Sequence, residues 1–150
     1  MVKRATELSR LQALDNSIIS VAFVGDRTMA RINQDYVGHI GTTDVISFCY
    51  CEDEMFDAEE EVAVELFICA DTARREGLAR KDSSYAAEMT LYIVHGLLHA
   101  AGEDDLSPVP RKRMRRRERE VMRQLACEFN FNEIFPEYKD DNELSIGKNI

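Results

Sequence analysis

The chain has no apolar run that approaches the length of a bilayer crossing, so a membrane-spanning helix is not expected in its 150 residues. Its first stretch, MVKRATELSRLQALD, alternates charges with leucines and has no uninterrupted apolar core, which is not the pattern of a secretory signal. Cys49, Cys51, Cys69 and Cys127 contain no Cys-x-x-Cys pair. Cys49 and Cys51 would share one side of a strand, and the others are remote. Neither a disulfide framework nor a disulfide-linked partner is expected. Reduced thiols, packed as small hydrophobes in a cytoplasmic protein, are. Net positive charge is missing too. A formal charge of −9 argues against a generic nucleic-acid binder. No internal repeat or compositional break marks a domain boundary, and 45% apolar content suits one domain over 1–150 with a real core.

The average charge hides a strong local contrast. CEDEMFDAEEE (51–61) and PEYKDDNE (136–143) are acidic, while RKRMRRRERE (111–120) is basic. The acidic segment 51–61 reads as a solvated loop. The last dozen residues read as a flexible acidic tail.

Hydrophobic periodicity places a short helix over 6–14, with Leu8, Leu11 and Leu14 on one side. SIISVAFV (17–24) reads as a buried strand. Gly25 and Asp26 then turn the chain into a helix through Tyr36, with Met29, Ile32 and Tyr36 inward and Gly38 at its end. TDVISFCY (43–50) and VAVELFICA (62–70) are two further strands. Asp71 is placed to cap a short helix that runs to Glu76. Asp82, Ser83 and Ser84 offer caps for a helix over 85–101, whose second half is apolar almost all round and which Gly102 can end. After Pro108 and Pro110 a last helix runs to Phe129, with Met114, Val121, Met122 and Leu125 inward. Strands early and helices late predict an α+β fold. The expected architecture is a small mixed sheet of three to four strands packed with about five helices.

In HGLLHAAGEDD (95–105) two histidines lie four apart, so His95 and His99 project from one helical face. A buried histidine can be satisfied by a single carbonyl, so the pair alone leaves a structural role open. Gly102 and Asp105 add to it. With Asp105 in the last place, the spacing matches the zinc-binding stretch His-Glu-x-x-His-x-x-Gly-x-x-His. Two imidazoles and one carboxylate complete a three-ligand site with a position left for water. Asp104 and Glu103 are rivals for the third place, but both fall short of the spacing. A metalloprotease needs glutamate after the first histidine, and here that position is Gly96.

These blocks resemble the YbeY family of rRNA-maturation endoribonucleases. HGLLHAAGEDD is similar to that family's His-Gly-x-Leu-His-x-x-Gly-Tyr-Asp-His. NQDYVGHIGTTDVISF (33–48) resembles its Asn-x-x-Tyr-Arg…Pro-Thr-Asp-Val-Leu-Ser-Phe, and VELFIC (64–69) its Gly-Asp-Ile-Val-Ile strand. Glu88 and Met114 also stand where the family has Glu and Met, and the likeness runs over roughly 15–127. It implies a sheet with surrounding helices, including a zincin-like metal helix. It also implies one divalent ion, usually zinc, on His95, His99 and Asp105, with the two histidines acting catalytically through it. The implied activity is single-strand-specific cleavage in ribosomal RNA maturation and quality control, with the small ribosomal subunit as partner. The departures are Asp105 for histidine, Glu103 for tyrosine, Val37 for arginine, Thr42 for proline and Val64 for glycine. No strand pattern precedes the first helix, where the family has one.

The basic segment admits two readings: a solvated helix face with i,i+4 pairs, or an RNA path to the metal. Arg111, Arg113, Arg115 and Arg116 are its RNA-binding candidates. Two other functions remain open, a ribosome-associated binding factor with a structural or decayed metal site and, more remotely, a metallopeptidase.

Overall fold

The computed structural model describes residues 1–10, 18–51 and 62–137. In order the elements are α1 (Val2–Leu8), β1 (Ile18–Val24), α2 (Asp26–Ile32), a π-helical turn (Asn33–Val37), β2 (Val45–Cys49), β3 (Val62–Cys69), α3 (Ala70–Ala79), α4 (Tyr85–Ala100), α5 (Pro108–Glu128) and α6 (Phe131–Ile134). The sheet has strand order β1-β3-β2, with β1 parallel and β2 antiparallel to β3. This is the expected α+β arrangement with a mixed sheet of three strands. No described helix is long and apolar enough to cross a membrane. The acidic stretch from residue 52 to 61, the tail from 138, and Leu11 and Leu14 lie outside the described residues.

Period-2 alternation divides the sheet into two faces. Val45, Val64, Leu66 and Ile68 turn toward α4, whose Met89, Ile93, Val94, Leu97 and Leu98 complete the main core with Met114, Val121 and Leu125 of α5. Ile46, Phe67 and Cys69 face the other way and are covered by Met29 of α2. The helix α4 is therefore sandwiched between the sheet and α5, which explains why its second half is apolar on nearly every side.

Several expectations are corrected. The first helix sits at Val2–Leu8 rather than 6–14, because its inward face is built from Ala5, Thr6 and Ser9, small residues that leucine periodicity does not reveal. β1 is an edge strand and only half buried, with Ile18 49% and Phe23 50% exposed. Tyr36 is 74% exposed rather than inward, since the backbone widens into the π turn after Ile32 and rotates the side chain out. α3 starts at Ala70, and Asp71 does not cap it; its carboxylate accepts from the Asp26 backbone N–H at the start of α2. The same helix continues past Glu76 to Ala79. α5 begins at Pro108, the first helical position, where a missing N–H costs nothing. Burial as a small hydrophobe holds for Cys69 only; Cys49 and Cys127 are exposed, and Cys49 and Cys51 share one side with their sulfurs 3.0 Å apart.

Gly77 fixes the approach of α3 to the start of α4. A Cβ there would lie 2.5 Å from the Tyr85 backbone nitrogen and 2.6 Å from the Ser84 carbonyl carbon. Backbone atoms cannot retreat as a side-chain end can. Gly77→Ala should therefore destabilise the fold by about 1–3 kcal/mol, against a helix-propensity gain of about 1 kcal/mol. A lowered urea midpoint is expected; an unchanged or raised midpoint would contradict this packing.

Candidate metal centre

The face that α4 presents to α5 carries His95 and His99, one turn apart. Their orientation follows from the residue between them. A Cβ at Gly96 would meet Leu66 Cδ2 at 2.8 Å and Val45 Cγ2 at 3.2 Å, so this position lies flat on the sheet. With Gly96 turned toward the sheet, His95, about 100° further round the helix, reaches α5, where Glu118 meets it. The position that a metalloprotease would fill with glutamate thus faces a closed apolar surface, not the ion.

The two Nε2 atoms stand 3.0 Å apart, with the rings at 81°. Each ring is held from behind. His95 Nδ1 is 2.5 Å from Glu118 Oε1, and His99 Nδ1 is 3.0 Å from the Glu103 carbonyl oxygen. Both partners are acceptors, so each Nδ1 carries the proton and donates. The lone pairs are then left on the two Nε2 atoms that face each other, with no protein donor between them. Converging lone pairs backed by acceptors are the arrangement that a metal ion requires.

The third donor comes from the turn that ends α4. Gly102, at φ 87°, takes a left-handed conformation, its N–H donates to the His99 carbonyl, and the Glu103 N–H donates to that of Leu98. Three acids follow, and the structure gives each a different task. The Glu103 carboxylate is held by Arg113 at 2.8 Å and Arg117 at 3.9 Å. The Asp104 carboxylate accepts from the Leu106 N–H two residues on. Asp105 is anchored through its carbonyl, which accepts from Arg111 Nε, and its Oδ1 lies 3.8 Å from His99 Nε2. One atom from each of His95, His99 and Asp105 falls within 4.8 Å of the other two, the only such group among the described residues. These residues fit a divalent ion.

Electrostatics favour a cation here. Burial works to lower the His95 pKa, but the Glu118 hydrogen bond and charge, with Asp44 and Asp105 beyond it, outweigh burial and raise it above the ordinary value. Protons therefore compete for His95 at a higher pH than for an ordinary histidine, and loading should weaken as pH falls. Two cavities adjoin His95. One, of about 140 Å³, is lined by His95, Asp105, Arg111, Met114, Arg115 and Glu118. The other, of about 350 Å³, reaches past Asp44, Glu76 and Glu88 and is acidic. Glu88 itself is buried, accepts from Ser83 Oγ at 2.7 Å, and ties the α3–α4 connection to α4.

A family model described as Endoribonuclease YbeY matches residues 1–126. The chain belongs to the YbeY family. A YbeY relative from Rhodopirellula baltica is 32% identical over 144 residues, covering 93% of this chain and 72% of the relative. One from Chlorobium luteolum is 35% identical over 107 residues, 71% of this chain and 73% of the relative. One from Syntrophus aciditrophicus is 33% identical over 121 residues, 79% and 75% respectively. All three are named endoribonucleases. The solution structure of a Thermotoga maritima protein shares the fold at TM-score 0.53 and 18% identity, covering 91% of this chain and 88% of that one.

Read against the sequence, the YbeY-like stretch delivers both histidines and Asp105 to one point, while the four candidate arginines are divided. Arg111 and Arg115 line the smaller cavity, Arg113 is taken by Glu103, and Arg116 is exposed on the helix. Glu118 was missed. It reads in sequence as a counter-charge within the arginine run, but it lies four residues after buried Met114, which puts it on the inward face.

If Asp105 is the third ligand, Asp105→Ala should lower affinity for a divalent ion at least tenfold more than Asp104→Ala, and Asp105→His should keep a site. Calorimetric titration of the metal into the three variants checks this. Equal, small losses for both alanine variants would assign the third position elsewhere.

Proposed function

We propose that this chain is a metal-dependent, single-strand-specific endoribonuclease of ribosomal RNA maturation, working in the cytoplasm with the small ribosomal subunit. Its ion would be held by His95, His99 and Asp105. The observation that carries this reading is the convergence of the two Nε2 atoms and a carboxylate, with both Nδ1 atoms engaged behind them. Family membership supplies the substrate class, since the relatives are named endoribonucleases. Two imidazoles with one carboxylate and an open position suit zinc. The bound ion supplies Lewis acidity toward a phosphoryl oxygen and activation of water.

The protein's own part is positional. Glu118 holds His95 in one tautomer, and the Glu103 carbonyl does the same for His99. Arg111 and Arg115 border the cavity that opens on His95 and Asp105, where their guanidinium groups would bind the phosphate of a bound strand. Arg113 serves indirectly, by fixing Glu103 and with it the metal loop. With a carboxylate as third ligand, a divalent centre carries +1 rather than the +2 of three neutral imidazoles. With Asp105 in that place a bound ion would be a weaker acid for water, and the pH optimum of hydrolysis should lie higher than with three histidines.

His95→Ala should abolish both bound metal and cleavage of rRNA precursors, measured by metal analysis and a gel assay on the same preparation. Undiminished cleavage by the metal-free variant would overturn the assignment. Ribosome association that persists in a wild type without nuclease activity would instead support the binding-factor reading.

A further inference from the structure

The basic run on α5 is not one patch but two sets of charges with different surroundings. Arg111, Arg113 and Arg117 turn toward the metal loop, where they hold Asp105 and Glu103. Lys112, Arg116, Arg119 and Arg123 recur at i, i+4, i+7 and i+11, so at 3.6 residues per turn they fall within an arc of about 60° and extend over about 16 Å. That arc lies opposite Met114, Val121 and Leu125, which are buried. All four are exposed, and none makes an ion pair or hydrogen bond with any described residue.

Ion pairing within the helix does not explain this row. Lys112 and Arg116, Arg115 and Arg119, and Arg119 and Arg123 are like-charged neighbours at i,i+4, an arrangement that works against the helix. Glu120, at i,i+4 from Arg116 and i,i+3 from Arg123, is the one acid of this helix beside the row and offsets one charge of the four, since Glu118 is drawn inward to His95. A row of cations with no ion pair among the described residues, in a chain of net charge −9, points to a polyanion as its partner. The row is also continuous with the site, because Arg115 stands between it and the cavity that opens on His95 and Asp105.

We propose that this face of α5 is a rail for the phosphate backbone of single-stranded RNA, leading the strand along Arg123, Arg119, Arg116 and Lys112 to Arg115 and the metal centre. The proposal rests on the ribonuclease reading for the identity of the polyanion. Successive cations are about 4.5–6 Å apart along the axis, a single file that suits a linear chain of phosphates better than the scattered acids of a protein surface. Guanidinium groups present forked donors to phosphate. The contacts are to backbone, so the rail adds affinity and direction without base preference.

The test is the salt dependence of binding to a single-stranded 2′-O-methyl oligonucleotide of about twelve nucleotides, verified by gel to stay intact through each titration, followed by anisotropy from about 50 to 200 mM salt. The full chain is compared with K112Q/R116Q/R119Q/R123Q and with a charge-matched control, K3Q/R27Q/R31Q/K81Q. Removing four phosphate contacts should reduce the slope of log affinity against log salt by about 3, whereas the control should change it by less than about 1. The pairs K112Q/R116Q and R119Q/R123Q should each reduce it by about 1.4, which keeps the test valid if the fourfold variant folds poorly. A wild-type slope in the α5 variants overturns the rail and leaves the row to an acidic protein or to solvent, and equal slopes in both fourfold variants overturn it as well. Because the probe is not cleaved, a chain that binds with the full α5-dependent slope but cuts no RNA sinks the nuclease reading and leaves the rail standing.

Discussion

The contact of Gly96 with Leu66 and Val45 fixes the rotation of α4 about its own axis, and most of the site follows from that rotation. A helix buried between a sheet and a second helix has little freedom to turn, but an almost uniformly apolar helix has little side-chain pattern to choose its facing. Gly96, the one residue of α4 without a side chain, lets the backbone settle closely on Leu66 and Val45 at that point. His95, its neighbour, then faces α5, and His99 stands above it one turn later. The position that could have carried a protease's base is closed by the same contact.

Glu118 joins this geometry to the rest of the fold. It stands on α5, whose Met114, Val121 and Leu125 are buried in the core shared with α4, so the carboxylate is carried on a rigid element. The imidazole it orients is carried on another. Rigid backing on both sides is what lets a three-ligand site keep its shape without a fourth protein ligand. The loop that carries Asp105 toward the histidine pair is held by charge: Arg113 and Arg117 on Glu103, the Leu106 N–H on Asp104, and Arg111 on the Asp105 carbonyl. Three adjacent acids would otherwise repel one another and any of them could reach the ion.

Much of this was readable in the sequence. Short apolar and β-branched runs gave β1, β2 and β3 to within two residues, because strands packed on at least one side must alternate or stay apolar. Ser84 and Gly102 gave both ends of α4 for reasons of capping, and the grouping of Asp105 with the two histidines followed from spacing. The misses have physical causes. α1 buries Ala5 and Thr6, which carry almost no hydrophobic signal, and Tyr36 escaped its expected face through a π turn that sequence periodicity does not register. Glu118 could not be paired with His95, 23 residues away, until α4 and α5 were packed together. The arginines required the same information, since identical residue types divide into loop clamps, cavity lining and an open row only when the helix faces are known.

The central claim is that both imidazoles are held as Nδ1–H tautomers, so that their Nε2 atoms converge on one ion. Nitrogen NMR of selectively labelled histidines in the zinc-loaded protein tests it most directly, through the two-bond couplings that identify the protonated and the metallated nitrogen of each ring. The account predicts Nδ1 protonated and Nε2 metallated for both His95 and His99, with the His95 Nδ1 proton shifted far downfield by its bond to Glu118 and returned toward the usual range in Glu118→Gln. Coordination through Nδ1 in either ring, or a His95 resonance indifferent to zinc, would contradict it.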